Sequence, residues 1–470
     1  MTIKNSLRCE VDHKVWEPCT PAPFATVAGS HTICDPSGED RGTLLMINAA
    51  TVLRYDHKHD AWTLMPASGA AGTFGAGSCG TYHPHGPKGA VRATGTTTTV
   101  PTSLTINWQL NYKIRFTAGP NAGLERRIIG NTLGANSTLT LDSPLPTACT
   151  TATSFVILSG KFYFFNAGAK GFAAYDRALN TWTQLSVAGT LPGTWGTEGQ
   201  LVATYMTDSN GFASGTATAG TTTTLTNTVK TWTAGEWVNY QVRFTTGANA
   251  GLVRVITASA ANSLTFAALP AAVAAGDAYV IEGDEDKLLL LGNAAVTAYQ
   301  YNITANTWET YSPATARAGA PGAGMTADWV FEVPHTDWTS ELNVLNGRYV
   351  YSLRGGASAV LDRLDLVTKR WEVLTYVPAA ETFTAGTGSD YARGYIYVNK
   401  EATGRVFRFN LVENRMVPWS TCVYPGSTAV AGDKLWTKVY TDPTTGETLE
   451  WVHVILHTST VLMRCMVLPE

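Results

Sequence analysis

One motif recurs along nearly the whole chain and limits what it can fold into. A large apolar or aromatic residue is followed by Asp or Asn, and Trp stands seven positions after the start. It reads Tyr55-Asp56 to Trp62, Tyr175-Asp176 to Trp182, Tyr301-Asn302 to Trp308 and Leu364-Asp365 to Trp371. A weakened copy runs from Phe409-Asn410 to Met416, and a shortened one opens the chain, Val11-Asp12 to Trp16. Ahead of each later copy lies a strand-like run behind a Gly or Asp turn, such as Gly160-Lys161-Phe162-Tyr163-Phe164 and Gly394-Tyr395-Ile396-Tyr397-Val398. This is the pattern of a meander. One strand ends, Asp or Asn fixes the turn by bonding the backbone two residues on, and the next strand returns Trp as an apolar plate between stacked sheets. Four strands per repeat point to a radial propeller.

The spacing of the motif is uneven. Successive starts lie 120, 126, 63 and 45 residues apart. The two long intervals each hold a copy of another segment. Asn111-Tyr112-Lys113-Ile114-Arg115-Phe116-Thr117-Ala118-Gly119-Pro120-Asn121-Ala122-Gly123-Leu124 returns 128 residues later, without a gap, as Asn239 to Leu252, identical at ten of fourteen positions. Setting aside 93–158 and 216–282 leaves repeats of ordinary blade length. The expected division is therefore propeller over 1–92, a first inserted β-module over 93–158, propeller over 159–215, a second module over 216–282, and propeller over 283–470. Each module follows a first strand rich in small residues, Ala76 to Tyr82 and Gly199 to Tyr205, which suits the crowding near a propeller axis. Both modules should leave from equivalent loops, side by side.

The ends fit the same plan. Leu7 to Pro18 is half a repeat, and Leu435 to Leu468 has strands without an Asp-to-Trp partner. The terminal strands are expected to share one blade, with Cys9 and Cys465 on neighbouring strands, and so to remove the open sheet edge. The expected fold is all-β: a six-bladed propeller, with seven blades as the alternative. At its Asp/Asn-to-Trp positions it resembles the kelch type, although that family's Gly-Gly doublet stands only at Gly355-Gly356. The resemblance speaks to fold and not to function.

The modules carry their own pattern. Each opens with Gly-Thr-Thr-Thr-Thr (95–99 and 220–224) and has Trp near its middle, Trp108 or Trp237. The copied strand and a Gly-x-Asn-Ala-Gly turn follow, whose Gly and Asn tolerate the positive φ of a tight hairpin. Alternation puts Tyr240, Val242 and Phe244 on one face and Arg243 on the other. A small β-sandwich or barrel results. The Asn-Tyr-x-[Ile/Val]-Arg-Phe-Thr strand, the Asn-Ala-Gly turn and the closing Phe/Tyr-Val-Ile resemble the Thr/Gly-rich β-domains of tailed-bacteriophage virion proteins. That resemblance implies a particle component.

Composition narrows the function. Only 15% of residues are charged and the net charge is −3, without a basic block, which disfavours sequence-specific nucleic acid binding. No apolar run reaches the length of a membrane span, and the start lacks the apolar centre of a signal peptide. The seven cysteines form no Cys-x-x-Cys pair and read as reduced thiols.

Sites of chemistry are scarce. His83 and His85 flank Pro84, His57 and His59 lie in a turn, and His453 and His457 share a strand face. None has a third ligand at metal spacing, so no metal and no cofactor are expected. Asp284, Glu285 and Asp286 read as a solvated linker. Arg115, Arg126, Arg127, Arg243 and Arg254 could make a basic patch; outward faces of alternating strands, used at subunit contacts, are the plainer reading. Trp232, Trp237 and Trp338 are the aromatics available to stack on sugar, with packing the plainer role for Trp237. No nucleophile elbow, phosphate loop or zinc-protease motif occurs. The expectation is a non-enzymatic virion structural protein of a tailed bacteriophage, assembled in the host cytoplasm and located in the tail as part of a nozzle, hub or adaptor-linked ring. Its partners are other virion proteins and copies of itself. The alternatives are a particle surface protein that binds host glycan and, third, a carbohydrate-active propeller enzyme.

Overall fold

The structure is a computed structural model. It describes the chain except for residues 1–15, 26–30, 35–42, 49–50, 57–58, 67–76, 167–170, 188–198, 205–212, 239, 283–286, 293–295, 304–305, 323–324, 330–348, 359, 367, 375–380, 385–386, 393, 401–403, 412, 414, 419–433, 442–447, 456–461 and 468–470. The fold is all-β and propeller-like, with no helix among the described residues.

Among the described residues, six antiparallel four-stranded sheets follow one another. Sheet 1 comprises His31–Cys34, Thr43–Asn48, Thr51–Asp56 and Ala61–Leu64. Sheet 2 comprises Cys79–His83, Lys161–Asn166, Gly171–Asp176 and Thr181–Gln184. Sheet 3 comprises Gly199–Thr204, Lys287–Gly292, Ala298–Asn302 and Thr307–Tyr311. Sheet 4 runs from Thr326–Trp329 through Tyr349–Leu353 and Leu361–Asp365 to Arg370–Leu374, and sheet 5 from Ser389–Ala392 through Tyr395–Lys400 and Arg405–Asn410 to Arg415–Pro418. Sheet 6 takes Lys434–Thr441, Thr448–Ile455 and Leu462–Val467 from one end of the chain and Trp16–Pro18 from the other, with Trp16 opposite Cys465. Cys9, expected beside Cys465, lies outside the described residues.

The first strands of the six sheets lie side by side in cyclic order, the last beside the first. Side chains stitch several of them together. His31 Nε2 lies 3.2 Å from Gly80 O, the Ala203 amide donates to Thr81 Oγ1 at 3.2 Å, and Ser389 donates to Asp328. The Thr437 amide and hydroxyl donate to Asp390 Oδ2 at 2.6 and 3.0 Å. Crowding accounts for the small residues here: a Cβ on Gly80 would stand 2.4 Å from Ile33 Cδ1 and 2.8 Å from Tyr163 O.

Apolar clusters join every neighbouring pair of sheets. Ile33, Val52, Phe162 and Tyr175 join sheets 1 and 2, and one large cluster runs through sheets 2, 3 and 4. Tyr351 and Phe407 join sheets 4 and 5, Tyr397 and Val452 join sheets 5 and 6, and Trp436 and Ile455 meet Leu53 and Tyr55 between sheets 6 and 1. The recurring Trp sits at these seams. Trp62 Nε1 donates to Thr20 O at 2.9 Å and Trp182 Nε1 to Pro66 O at 3.0 Å. Trp308 packs edge-on to Phe165 and Phe172 of the sheet before it, at 5.7 and 5.0 Å.

The turn before each Trp differs in detail from expectation. The Asp or Asn accepts an amide three residues on, His59 to Asp56 at 3.2 Å, Leu179 to Asp176 at 3.1 Å and Glu413 to Asn410 at 3.2 Å, and Asp176 also accepts the amide of Ala178, two residues on. A second polar residue completes it. Asp60, Asn180 and Asn306 take φ of 47°, 51° and 54°, and each accepts the hydroxyl of the motif's own tyrosine, Tyr55, Tyr175 or Tyr301. The left-handed residue reverses the chain, and its side chain satisfies a hydroxyl that burial removes from water.

Each copied module is one curled sheet inserted between the first and second strands of its host, sheet 2 or sheet 3. Module 1 has six strands, from Lys88–Ala90 to Ser154–Leu158, and module 2 has seven, from Ala213–Thr216 to Ala278–Glu282. The lead-in strand of each begins ahead of residues 93 and 216 because it pairs with the module's closing strand. A register shift at Ile128/Gly130, repeated at Ile256/Ala258, bends the long strand so that the sheet wraps its own core. Ile114, Phe116, Ile128 and Phe155 fill one core, and Val242, Phe244, Ile256 and Trp237 the other. The Thr tract is a turn: Thr96 Oγ1 accepts the amides of Thr98 and Thr99, and Thr221 Oγ1 those of Thr223 and Thr224, at 3.0 to 3.1 Å.

Candidate binding site

The two copies of the Gly-x-Asn-Ala-Gly turn touch each other. Only the glycines take positive φ, 88° and 92° at Gly119 and Gly123, 80° and 84° at Gly247 and Gly251. The asparagines, expected to share that role, are buried anchors instead. Asn121 Nδ2 donates to Thr147 O at 2.8 Å and Asn249 Nδ2 to Ala271 O at 3.0 Å, tying each turn to the loop after the module's Leu-Pro. Across the junction the Val253 amide donates to Ala122 O at 3.4 Å. A Cβ on Gly123 would stand 2.4 Å from Gly251 O and 2.6 Å from the Val253 nitrogen. Leu124 packs against the cores of both modules. The modules are thus seated against one another.

Between them opens a cleft of about 1330 Å³. The outward faces of the copied strands form its walls, because Ile114, Phe116, Val242 and Phe244 are committed to the cores. Arg115 and Arg243, at equivalent positions, therefore line it together with Lys88 and Arg254. Glu125 is the one carboxylate among its lining residues and sits 2.7 Å from Arg115. Arg254 is 9% exposed; its Nε donates to Ala268 O at 3.2 Å and its Nη1 to Val253 O at 2.8 Å. Burial pulls its pKa below the usual arginine value. Its counterpart Arg126 makes the same two kinds of bond, to Pro144 O and Glu125 O.

Of the other residues singled out in the sequence, His85 also lines this cleft and the rest are dispersed. His83 and His85 are buried with ring centroids 4.8 Å apart, and the His85 amide donates to His83 Nδ1 at 3.2 Å. His59 lies 2.8 Å from Asp56, and His453 stacks on Trp436 at 5.1 Å. No group of three or more His, Cys, Asp or Glu among the described residues stands at metal-binding spacing. His57, His457, Trp338 and Asp284 to Asp286 lie outside the described residues. Arg127 donates to Asn111 Oδ1 at 2.9 and 3.1 Å. Trp237 is buried, with the half-buried Trp232 against it at 6.3 Å, so this pair belongs to the module core. Cys19, Cys79, Cys149 and Cys465 are buried thiols. Burial pushes the Cys149 thiol up to about 11, which keeps it protonated and unreactive.

The sequence allows a basic patch from these arginines and places the modules side by side, but it does not show that Arg115 and Arg243 line one opening. The legible signal was Arg at the same outward position of both copied strands.

No family model matches this sequence, and no curated protein matches it. Solved structures similar to it in fold include three at low TM-scores. The crystal structure of AofleA from Arthrobotrys oligospora is 10% identical over 96% of this chain and 86% of that one, with a TM-score of 0.39. The structure of YjhT is 9% identical over 93% and 97%, TM-score 0.36, and a chain of the Mitotic Checkpoint Complex crystal structure 8% identical over 97% and 95%, TM-score 0.36. The all-β, propeller-like class rests on the chain's own sheets.

Proposed function

We propose that this chain is a non-enzymatic structural component of a tailed-bacteriophage particle. A closed six-bladed propeller of kelch type serves as a rigid disc, and the paired modules form its contact surface toward other virion proteins and copies of itself. The observation that carries this reading is the junction at Gly123 and Gly251: two copied inserts leave adjacent sheets at equivalent points and are seated as one unit. Such a unit offers neighbouring subunits a fixed surface, which lowers the ordering cost of assembly. Ring closure is supported by the pairing of Trp16–Pro18 with Leu462–Val467 and by the apolar cluster shared between sheets 6 and 1. The virion setting is supported by the modules' Asn-Tyr-x-[Ile/Val]-Arg-Phe-Thr strands. Mass spectrometry and cryo-electron microscopy of purified particles test it. The expected result is a stoichiometric ring of this chain with the modules buried against other subunits. Absence from the particles would overturn the reading.

A further inference from the structure

We propose that Asp328 and Asp390 hold one proton between them, and that this proton latches sheet 4 to sheet 5 at their inner strands. The inference does not depend on the virion role. Thr326–Trp329 and Ser389–Ala392 are the first strands of the two sheets and lie side by side. The Ser389 hydroxyl donates to Asp328 Oδ2 across the seam, and Asp390 is the next residue along. Asp390 is well supplied with donors. Its Oδ2 accepts the Thr437 amide and hydroxyl at 2.6 and 3.0 Å, and its Oδ1 accepts the Tyr391 amide at 3.0 Å. Three donors favour the ionised form, so the negative charge stays on Asp390.

No cation on the strands around it balances Asp328. Three strands pack against its own: Gly199–Thr204, Tyr349–Leu353 and Ser389–Ala392. Their sequences, Gly-Gln-Leu-Val-Ala-Thr, Tyr-Val-Tyr-Ser-Leu and Ser-Asp-Tyr-Ala, contain no Lys, Arg or His. The titratable groups they present are Asp390, Tyr349, Tyr351 and Tyr391. Arg363, opposite Tyr351 on the next strand out, bonds Glu372 at 2.6 Å and lies over the Tyr349 ring at 4.4 Å. Arg317 and Arg354 bond Asp362, which stands opposite Ser352 and therefore on the other face of the sheet from Asp328.

Two carboxyls at one seam, without a cation beside the first, do not both ionise at neutral pH. The Asp328 carboxyl is pushed up to about 8, by burial first and by Asp390 second. Once its proton leaves for solvent, two negative charges stand at the inner seam and the strands part more often. Tyr351 and Phe407 still join the sheets further out. The device therefore loosens the ring locally and leaves the sheets folded.

The test is hydrogen exchange of the full chain, corrected for the intrinsic pH dependence of amide exchange. Opening returns Asp328 to its ordinary value of 3.8, so between there and about pH 8 each opening releases one proton. The opening constant of 326–329 and 389–392 is expected to rise about tenfold per pH unit from about pH 5.5 and to level off above about pH 8. His31–Cys34 and Cys79–His83, in sheets 1 and 2, should not follow it. Asp328→Asn should abolish the rise, and Asp390→Asn should end it at a lower pH. No rise over 326–329 and 389–392, a rise shared equally by all six sheets, the same rise in Asp328→Asn, or an unmoved end point in Asp390→Asn would each overturn the proposal.

Discussion

Gly123 shows how one residue joins two domains. Its φ of 92° lies in the left-handed region, and the backbone of the second module occupies the space a side chain would need. Gly123→Ala is expected to cost about 1–3 kcal/mol, read from the thermal unfolding of the modules, whereas Gly134→Ala, with nothing within 4 Å of its Cβ, pays only the backbone strain. Asp328 makes a different residue-scale prediction. Burial, and next the Asp390 carboxylate, push its pKa from 3.8 to about 8. The folded chain then holds a proton that the unfolded chain releases, so this contribution to stability is complete below about pH 4 and is lost as pH rises through about 8. Asp328→Asn should flatten that slope and be more stable than the parent at pH 8 by about 1–3 kcal/mol, measured by denaturant unfolding across the pH range. Neither effect was legible in the sequence. Gly in a turn is visible, but what presses on it is not, and Asp328 and Asp390 lie on strands of two different sheets that only the tertiary structure brings near.

Between elements, the seams decide stability. Trp308 is 3% exposed and fills the contact between sheets 2 and 3. Trp308→Ala is expected to cost about 3–5 kcal/mol in urea unfolding. In sheet 4 the seam is ionic. Asp362 accepts Arg317 Nε at 2.6 Å and Arg354 Nη2 at 2.7 Å, while Arg317 lies over Trp371 at 4.9 Å. Removing that carboxylate leaves the buried Arg317 and the partly buried Arg354 without it, so Asp362→Asn should destabilise by about 3–5 kcal/mol in the same measurement. The Trp seams were readable from Tyr-Asp to Trp spacing, because a fixed offset across a tight turn fixes which strand the Trp joins. The ionic seam was not, because Arg317 and Asp362 are far apart in sequence and share no motif.

For the whole molecule, the pairing of Trp16–Pro18 with Leu462–Val467 matters most. Deleting residues 1–18 would leave the last strand as an open edge, and edges of that kind pair with other chains. The truncated protein is expected to aggregate on mild heating where the full chain stays in solution, as followed by light scattering. Local chemistry alone determined the strands, the Asp/Asn turns, the Trp plates and the two inserts, since each depends on residues within one hairpin and repeats often enough to be read. Tertiary structure alone decided that the copied turns interlock and that Arg115 and Arg243 share a cleft. Those facts depend on how two inserts are seated side by side, and no pattern confined to one strand encodes the distance to another.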